Sequence, residues 1–169
     1  MTLVKTVFNK SWIPYENRVD FYLGSKVEFD APVTTVHGFF FNEKNKLLLV
    51  EHCRRGWEIP GGHIDTGEGY EAAMRRELFE EAQMEAGELI LLGHLEKSAL
   101  EAKPHDCKYP YPLSYCLFYS GRIASREEFC GDESIVNFKF IDIKESRENA
   151  WIQSYEVYLD EALKLLIDL

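Results

Sequence analysis

Residues 62–84 read GHIDTGEGYEAAMRRELFEEAQM. From Tyr70 onward the composition is dominated by Ala, Glu, Arg and Leu, which are strong helix formers. The stretch predicts a helix from Tyr70 to about Ala86, stopped by Gly87. At 100° per residue, Glu77, Glu80 and Glu81 fall within an arc of about 100°. Ala73 also lies in that arc, no basic side chain interrupts it, and Arg76 stands at its edge. Leu78, Ala82, Phe79 and Ala72 lie on the opposite side and are expected to face the core. Like charges at i,i+4, as for Glu77 and Glu81, cost a helix about 0.2–0.5 kcal/mol per pair. The helix alone leaves two readings open. One is a solvated acidic face; the other is a grip on a hard divalent cation, which prefers carboxylate and phosphate oxygens.

The loop before the helix favours the second reading. Trp57-Glu58-Ile59-Pro60-Gly61-Gly62 ends in paired glycines, where backbone can approach a ligand closely. A turn over residues 65–69 leads into the helix, with Gly69 as a tolerable N-cap.

With these residues in view, the sequence resembles the Nudix hydrolases, whose signature is G-x5-E-x7-R-E-U-x-E-E-x-G-U with U a bulky apolar residue. Here it reads Gly62, Glu68, Arg76, Glu77, Leu78, Glu80, Glu81, Gln83 and Met84. The departure is Gln83, where the family carries glycine. The resemblance implies a metal-dependent hydrolase that cleaves the diphosphate linkage of a nucleoside diphosphate joined to another group, using Mg²⁺ or Mn²⁺. Glu77, Glu80 and Glu81 would hold the metal, with the backbone carbonyl of Gly61 as a further ligand. Arg76 would pair with a signature glutamate and orient it, and Glu68 would play a secondary role. Metals offset the charge of a diphosphate and acidify water, and a carboxylate then takes the proton. Glu77 and Glu133 are both candidates for that base.

Outward from the signature, residues 33–41 and 46–51 read as two strands joined by a turn, a plausible hairpin. Residues 89–95, 113–123 and 135–141 read as further strands. An amphipathic helix is expected over residues 153–168, with Tyr155, Tyr158, Leu159, Ala162, Leu163 and Leu166 as a core stripe. Residues 1–32 mix aromatics with Pro14 and Gly24 and fit either short strands or an ordered arm. The irregular alternation predicts an α+β fold, and the resemblance makes it a Nudix-type α/β/α sandwich with a mixed sheet between helices. All 169 residues fit one domain.

Composition narrows the partners. A formal charge of −10 repels polyphosphate backbones and anionic bilayers, so generic nucleic-acid and membrane binding are not expected. No apolar run approaches a membrane span. Four scattered cysteines without a CxxC pair fit free thiols in the cytoplasm. Family members are often dimers, so a homodimer is possible.

Beyond the signature, Arg54 and Arg55, with His52, are candidates to meet substrate phosphate, and Glu133 is a further candidate contact. The long loop over residues 99–112, flanked by Lys97, Lys103, His105 and Lys108, is a candidate lid. His105-Asp106-Cys107 is not expected to be a nucleophile, because adjacent residues rarely face one another. Trp57 and Tyr15 are candidates to stack on a base, though core positions suit them equally. The alternative to catalysis is a silent Nudix-fold nucleotide-binding or regulatory module, which the intact glutamates disfavour. An isoprenoid diphosphate isomerase on the same fold needs a reactive cysteine in a context none of the four provides.

Overall fold

In the computed structural model, residues 1–25, 28–103, 105, 110–131 and 133–167 are described. The elements run β1 (Thr2–Phe8), β2 (Asn17–Leu23), β3 (Val33–Phe41), β4 (Leu47–His52), β5 (Gly56–Glu58), β6 (Gly61–His63), α1 (Tyr70–Ala82), β7 (Met84–Ala99), β8 (Leu113–Arg126), β9 (Ile135–Ile141), α2 (Ile143–Ser146), α3 (Ala150–Ser154) and α4 (Glu156–Ile167). The sheet is ordered β1-β2-β7-β8-β3-β4-β5, with β6 paired to β3 and β9 to β4. β3 and β8 run parallel, and the other pairings are antiparallel, so the sheet is mixed as expected.

Because side chains alternate across a strand, the sheet buries two cores. On one face α1 lays Ala73, Met74, Leu78 and Ala82 against Val36, Phe40, Leu48 and Val50. On the other, Ile152, Tyr158, Leu159 and Ala162 cover Phe21, Phe39, Phe41 and Phe118. Helices thus lie on both faces, which is the expected α/β/α sandwich.

Several expectations need correction. α1 ends at Ala82, not near Ala86. Gln83 takes the left-handed conformation (φ 54°, ψ 41°) and its N–H closes onto the Phe79 carbonyl. The chain must turn there because residues 84–86 belong to β7, paired with Arg126, Ser125 and Ile123 of β8. Gly87 is therefore no helix stop; its carbonyl and that of Ala86 accept from Arg75 (2.9 and 2.7 Å). The C-terminal helix expected over residues 153–168 is two helices, α3 and α4, broken at Tyr155. The hairpin of β3 and β4 survives at one register pair, Phe41 with Leu47. Beyond it the strands part, β3 to β8 and β6, and β4 to β5 and β9, because Gly61–His63 takes the edge of β3. Residues 1–32 contain a β-hairpin, β1 with β2, joined to the main sheet through β2 and β7. Part of the expected lid over residues 99–112 falls outside the described residues: Pro104 and residues 106–109, including Asp106, Cys107 and Lys108.

Candidate active site

α1 starts at Tyr70, preceded by Gly69 as an extended N-cap without a side-chain bond. The acidic arc does not oppose the buried face; it borders it. Ala73 in that arc is buried, whereas Ala72 and Phe79, expected in the core, are exposed. The helix is rotated so that its Ala73–Glu77–Glu81 edge meets the β6 loop. The side chain of Glu77 is consequently only 12% exposed, while that of Glu80 is 55% exposed.

Arg76 gathers the acids. Its Nε and Nη2 donate to the two oxygens of Glu68 (3.0 and 2.9 Å), and its Nη1 donates to Glu77 and Glu80 (both 3.0 Å). Nη2 also donates to the His63 carbonyl at 2.9 Å, fixing β6 to the helix. This planar fork suits several carboxylates at once. Glu81 is held differently, accepting from the Gly61 N–H at 2.9 Å. Both glycines are required by close approach. A Cβ on Gly62 would lie 2.5 Å from either oxygen of Glu77, and one on Gly61 would lie 2.3 Å from the Val36 carbonyl.

The charges are strained. Burial pushes the Glu81 carboxyl up to about 8, the Gly61 N–H partly offsetting it and the charges of Glu77 and Glu58 adding to it. Burial also raises Glu77, and it outweighs the pull of Arg76 in the other direction. Arg76 itself is held more firmly protonated, first by Glu68. Arg76 in turn holds Glu68 below the usual carboxylate range. Two half-buried carboxylates whose ionised forms are disfavoured stand beside a third, and a bound cation would favour those ionised forms.

Among the described residues no group of three or more His, Cys, Asp or Glu side chains is placed to hold a metal ion. The donor set nonetheless fits a hard divalent ion. It is all oxygen, it is backed against glycine backbone, and its buried members carry the electrostatic cost noted above.

The glycine loop opens on a cavity of about 980 Å³. Gly61, Gly62 and His63 form one part of its wall, and Arg55 and Glu58 stand beside them. Arg55 is locked onto Glu58, its Nε 3.1 Å from both oxygens and its Nη2 2.6 Å from one. Arg54 is exposed in the β4–β5 turn, where its N–H donates to Nδ1 of His52. Glu133 is exposed in the loop before β9, and the next residue, Ser134, accepts from the Cys53 N–H. The structure thus brings Arg76, Glu77 and Glu80 together around one guanidinium and sets Glu81 against Gly61. It places Arg55 at the cavity wall and leaves Arg54 and Glu133 on the surface.

A family model described as the NUDIX domain matches residues 31–160. The chain belongs to the Nudix hydrolase family. The pyrophosphohydrolase BsRppH of Bacillus subtilis superposes with a TM-score of 0.68 at 21% identity, covering 89% of this chain and 93% of that one. A NUDIX hydrolase from Nitrosomonas europaea superposes with a TM-score of 0.56 at 26% identity, covering 76% and 89%. Among curated proteins, the mouse 8-oxo-dGDP phosphatase NUDT18 is 34% identical over 64 residues, which is 36% of this chain. That match spans 20% of the mouse protein's length.

The Nudix motif accounts for one side of the cavity only. His37, Lys97, Trp12, Trp151 and Tyr155 also line it, and the sequence reading did not single out four of these as site residues. His37 carried a usable signal, a lone imidazole in the apolar strand β3. Trp12 carried another, a large aromatic in a polar turn. Tyr155 reads as core by spacing, yet it lies at the break between α3 and α4 and borders the cavity. Of the two suggested stacking residues, Tyr15 lines the cavity, whereas Trp57 packs against the core with Lys139 Nζ 4.3 Å from its ring centre.

Proposed function

We propose that this chain is a divalent-metal-dependent hydrolase that cleaves the diphosphate linkage of a nucleoside diphosphate joined to another group. One observation carries this reading: the half-buried carboxylates of Glu77 and Glu81 lie against Gly61 and Gly62, and these two glycines line a cavity large enough for a nucleotide. Glu77, Glu80, Glu81 and the Gly61 carbonyl would hold Mg²⁺ or Mn²⁺. When bound, the ion supplies positive charge against the diphosphate and acidifies water.

The chain's own residues do the rest. Arg76 fixes Glu77 and Glu80 in orientation, and the Gly61 N–H fixes Glu81. Arg55, steered by Glu58, offers guanidinium charge to substrate phosphate at the cavity wall, and Arg54 is the other candidate in the same turn. Glu77 or Glu133 accepts the proton from the attacking water. Among the described residues Cys53, Cys116 and Cys130 are free thiols, which supports a reducing, cytoplasmic setting. Among the described residues no helix is long and apolar enough to cross a membrane. A second copy as partner belongs to the same proposal, and size-exclusion with light scattering tests it.

The experiment is a panel of nucleotide sugars, dinucleoside polyphosphates and nucleoside triphosphates, assayed with Mg²⁺, with Mn²⁺ and with chelator. Hydrolysis is expected only with metal. Glu80→Gln and Glu81→Gln should each lower it by about 100-fold or more. Undiminished turnover in either variant removes the mechanism. Tight binding without turnover across the panel would instead favour the silent module.

A further inference from the structure

The N-terminal hairpin precedes the segment that the family model matches. Its turn, residues 9–16, reaches the cavity, where Trp12, Pro14 and Tyr15 join the lining. This turn is built to hold its shape. The buried side chain of Asn17 accepts from the Lys10 N–H (2.9 Å) and donates to the carbonyls of Lys10 (3.2 Å) and Tyr15 (2.8 Å). The Asn9 side chain accepts from the Asn17 N–H at 3.1 Å, and the Ile13 N–H closes onto the Lys10 carbonyl at 3.0 Å. On this fixed turn Trp12 keeps 51% of its surface exposed. A large aromatic held rigidly beside a cavity without being buried suits a stacking platform better than a core. Two more rings, Trp151 and Tyr155, line the same cavity with their centres 4.2 Å apart.

Lys97 stands in the sheet wall of the cavity. It is half-buried, its Nζ donates to Thr34 Oγ1 at 3.1 Å, and no carboxylate pairs with it among the described residues. Burial pushes its ammonium below the ordinary lysine value. An ammonium has three donors and no acceptor, so a ligand that fills the cavity must offer acceptors there or leave donors stranded.

We infer that the cavity holds the base of a nucleotide, stacked on the aromatic side chains of the N-terminal turn, with Lys97 selecting a base edge that presents acceptors, as a 6-oxopurine does, over one that presents an amino group. This rests on the hydrolase reading for where the diphosphate lies, and it names what occupies the other end of the cavity. Trp12 and Lys97 are thereby specificity-determining residues, and Asn17 is a positioning residue.

The test is calorimetric titration of GMP, AMP and ribose 5-phosphate into the full chain, which needs no turnover. GMP should bind about tenfold tighter than ribose 5-phosphate, from stacking, and about tenfold tighter than AMP, from the Lys97 contact. Trp12→Ala should erase most of the first difference, and Trp12→Phe should restore most of it. Lys97→Met should erase the second. If ribose 5-phosphate binds as tightly as GMP and Lys97→Met weakens both alike, Lys97 meets phosphate and the assignment is overturned. A GMP-to-AMP ratio untouched by Lys97→Met overturns it too. Should Lys97→Met fail to fold, parity between GMP and AMP in the wild type overturns it and preference for GMP supports it. A chain that binds GMP in this pattern yet hydrolyses nothing loses the hydrolase reading alone. A chain that hydrolyses polyphosphate but ignores the base loses this inference alone.

Discussion

Arg76 contacts Glu68, Glu77 and Glu80 through one planar group, and no other side chain could replace that fork. Arg76→Lys keeps the charge and loses the geometry. Hydrolysis and Mn²⁺ affinity, read by titration calorimetry, should each fall by about 10- to 100-fold; a variant with wild-type metal affinity would show that the fork is dispensable. Gln83 is a second residue whose environment decides its effect. It is a β-carbon residue in the left-handed region, steadied by its own Nε2 donating to the Phe79 carbonyl at 2.9 Å. Glycine removes the backbone strain and forfeits an exposed bond. Gln83→Gly should raise the melting temperature by about 2–4 °C, corresponding to about 1 kcal/mol. A lower melting temperature would show that the side-chain bond outweighs the strain. The sequence identified the signature glutamates at once, because charge at helical spacing is a local property. It misjudged the end of α1 for the complementary reason: whether residue 83 turns depends on residues 123–126 of β8, about 40 residues away, taking residues 84–86 as a strand partner.

Among the elements, α3 is short and depends on its cap. Asn149 Oδ1 accepts from the Ile152 N–H at 3.1 Å, and its Nδ2 donates to the Trp57 carbonyl at 2.9 Å, so one side chain both starts the helix and ties it to β5. Asn149→Ala should cost about 1–2 kcal/mol in chemical denaturation. Because α3 carries Trp151, nucleotide binding should weaken along with stability. Loss of stability with unchanged nucleotide affinity would separate the helix from the cavity. The apolar spacing over residues 155–166 was legible and its core role holds for Tyr158, Leu159 and Ala162. The break at Tyr155 was not legible, since no glycine or proline marks it.

For the whole molecule, the junction of sheet and helix layers sets the response to acid. His37 on β3 lies between Phe118 of β8 (ring centres 5.6 Å) and Trp151 of α3 (5.5 Å), and among the described residues its Nδ1 has no hydrogen-bond partner. Burial, helped by the positive charges of Lys97, Arg55 and His63, lowers it from 6.5 to about 3. Between those values the unfolded chain takes up a proton that the folded chain refuses. Stability from this site is therefore full above pH 6.5 and declines as pH falls towards 3. The loss between pH 6.5 and 5 should be about 1–2 kcal/mol in urea denaturation, and His37→Gln should remove that slope. An equal slope in the variant would place the acid sensitivity elsewhere.

Sequence alone determined the acidic helix, the glycine loop before it, most of the strands and, through the signature, the family. These follow from short-range pattern, since helical and strand periodicity and a 23-residue motif need no knowledge of distant residues. Tertiary structure decided which way α1 faces, and hence that Glu77 and Glu81 are half-buried and electrostatically strained. It also decided that a turn at residues 9–16, a lysine at 97 and a helix at 150–154 border one cavity. The turn and Lys97 are brought together by the pairing of β2 with β7, and α3 is tied to β5 by the Asn149 bond to the Trp57 carbonyl. Such long-range pairing leaves no trace in local composition, because each segment is satisfied by a partner that the sequence nearby does not specify.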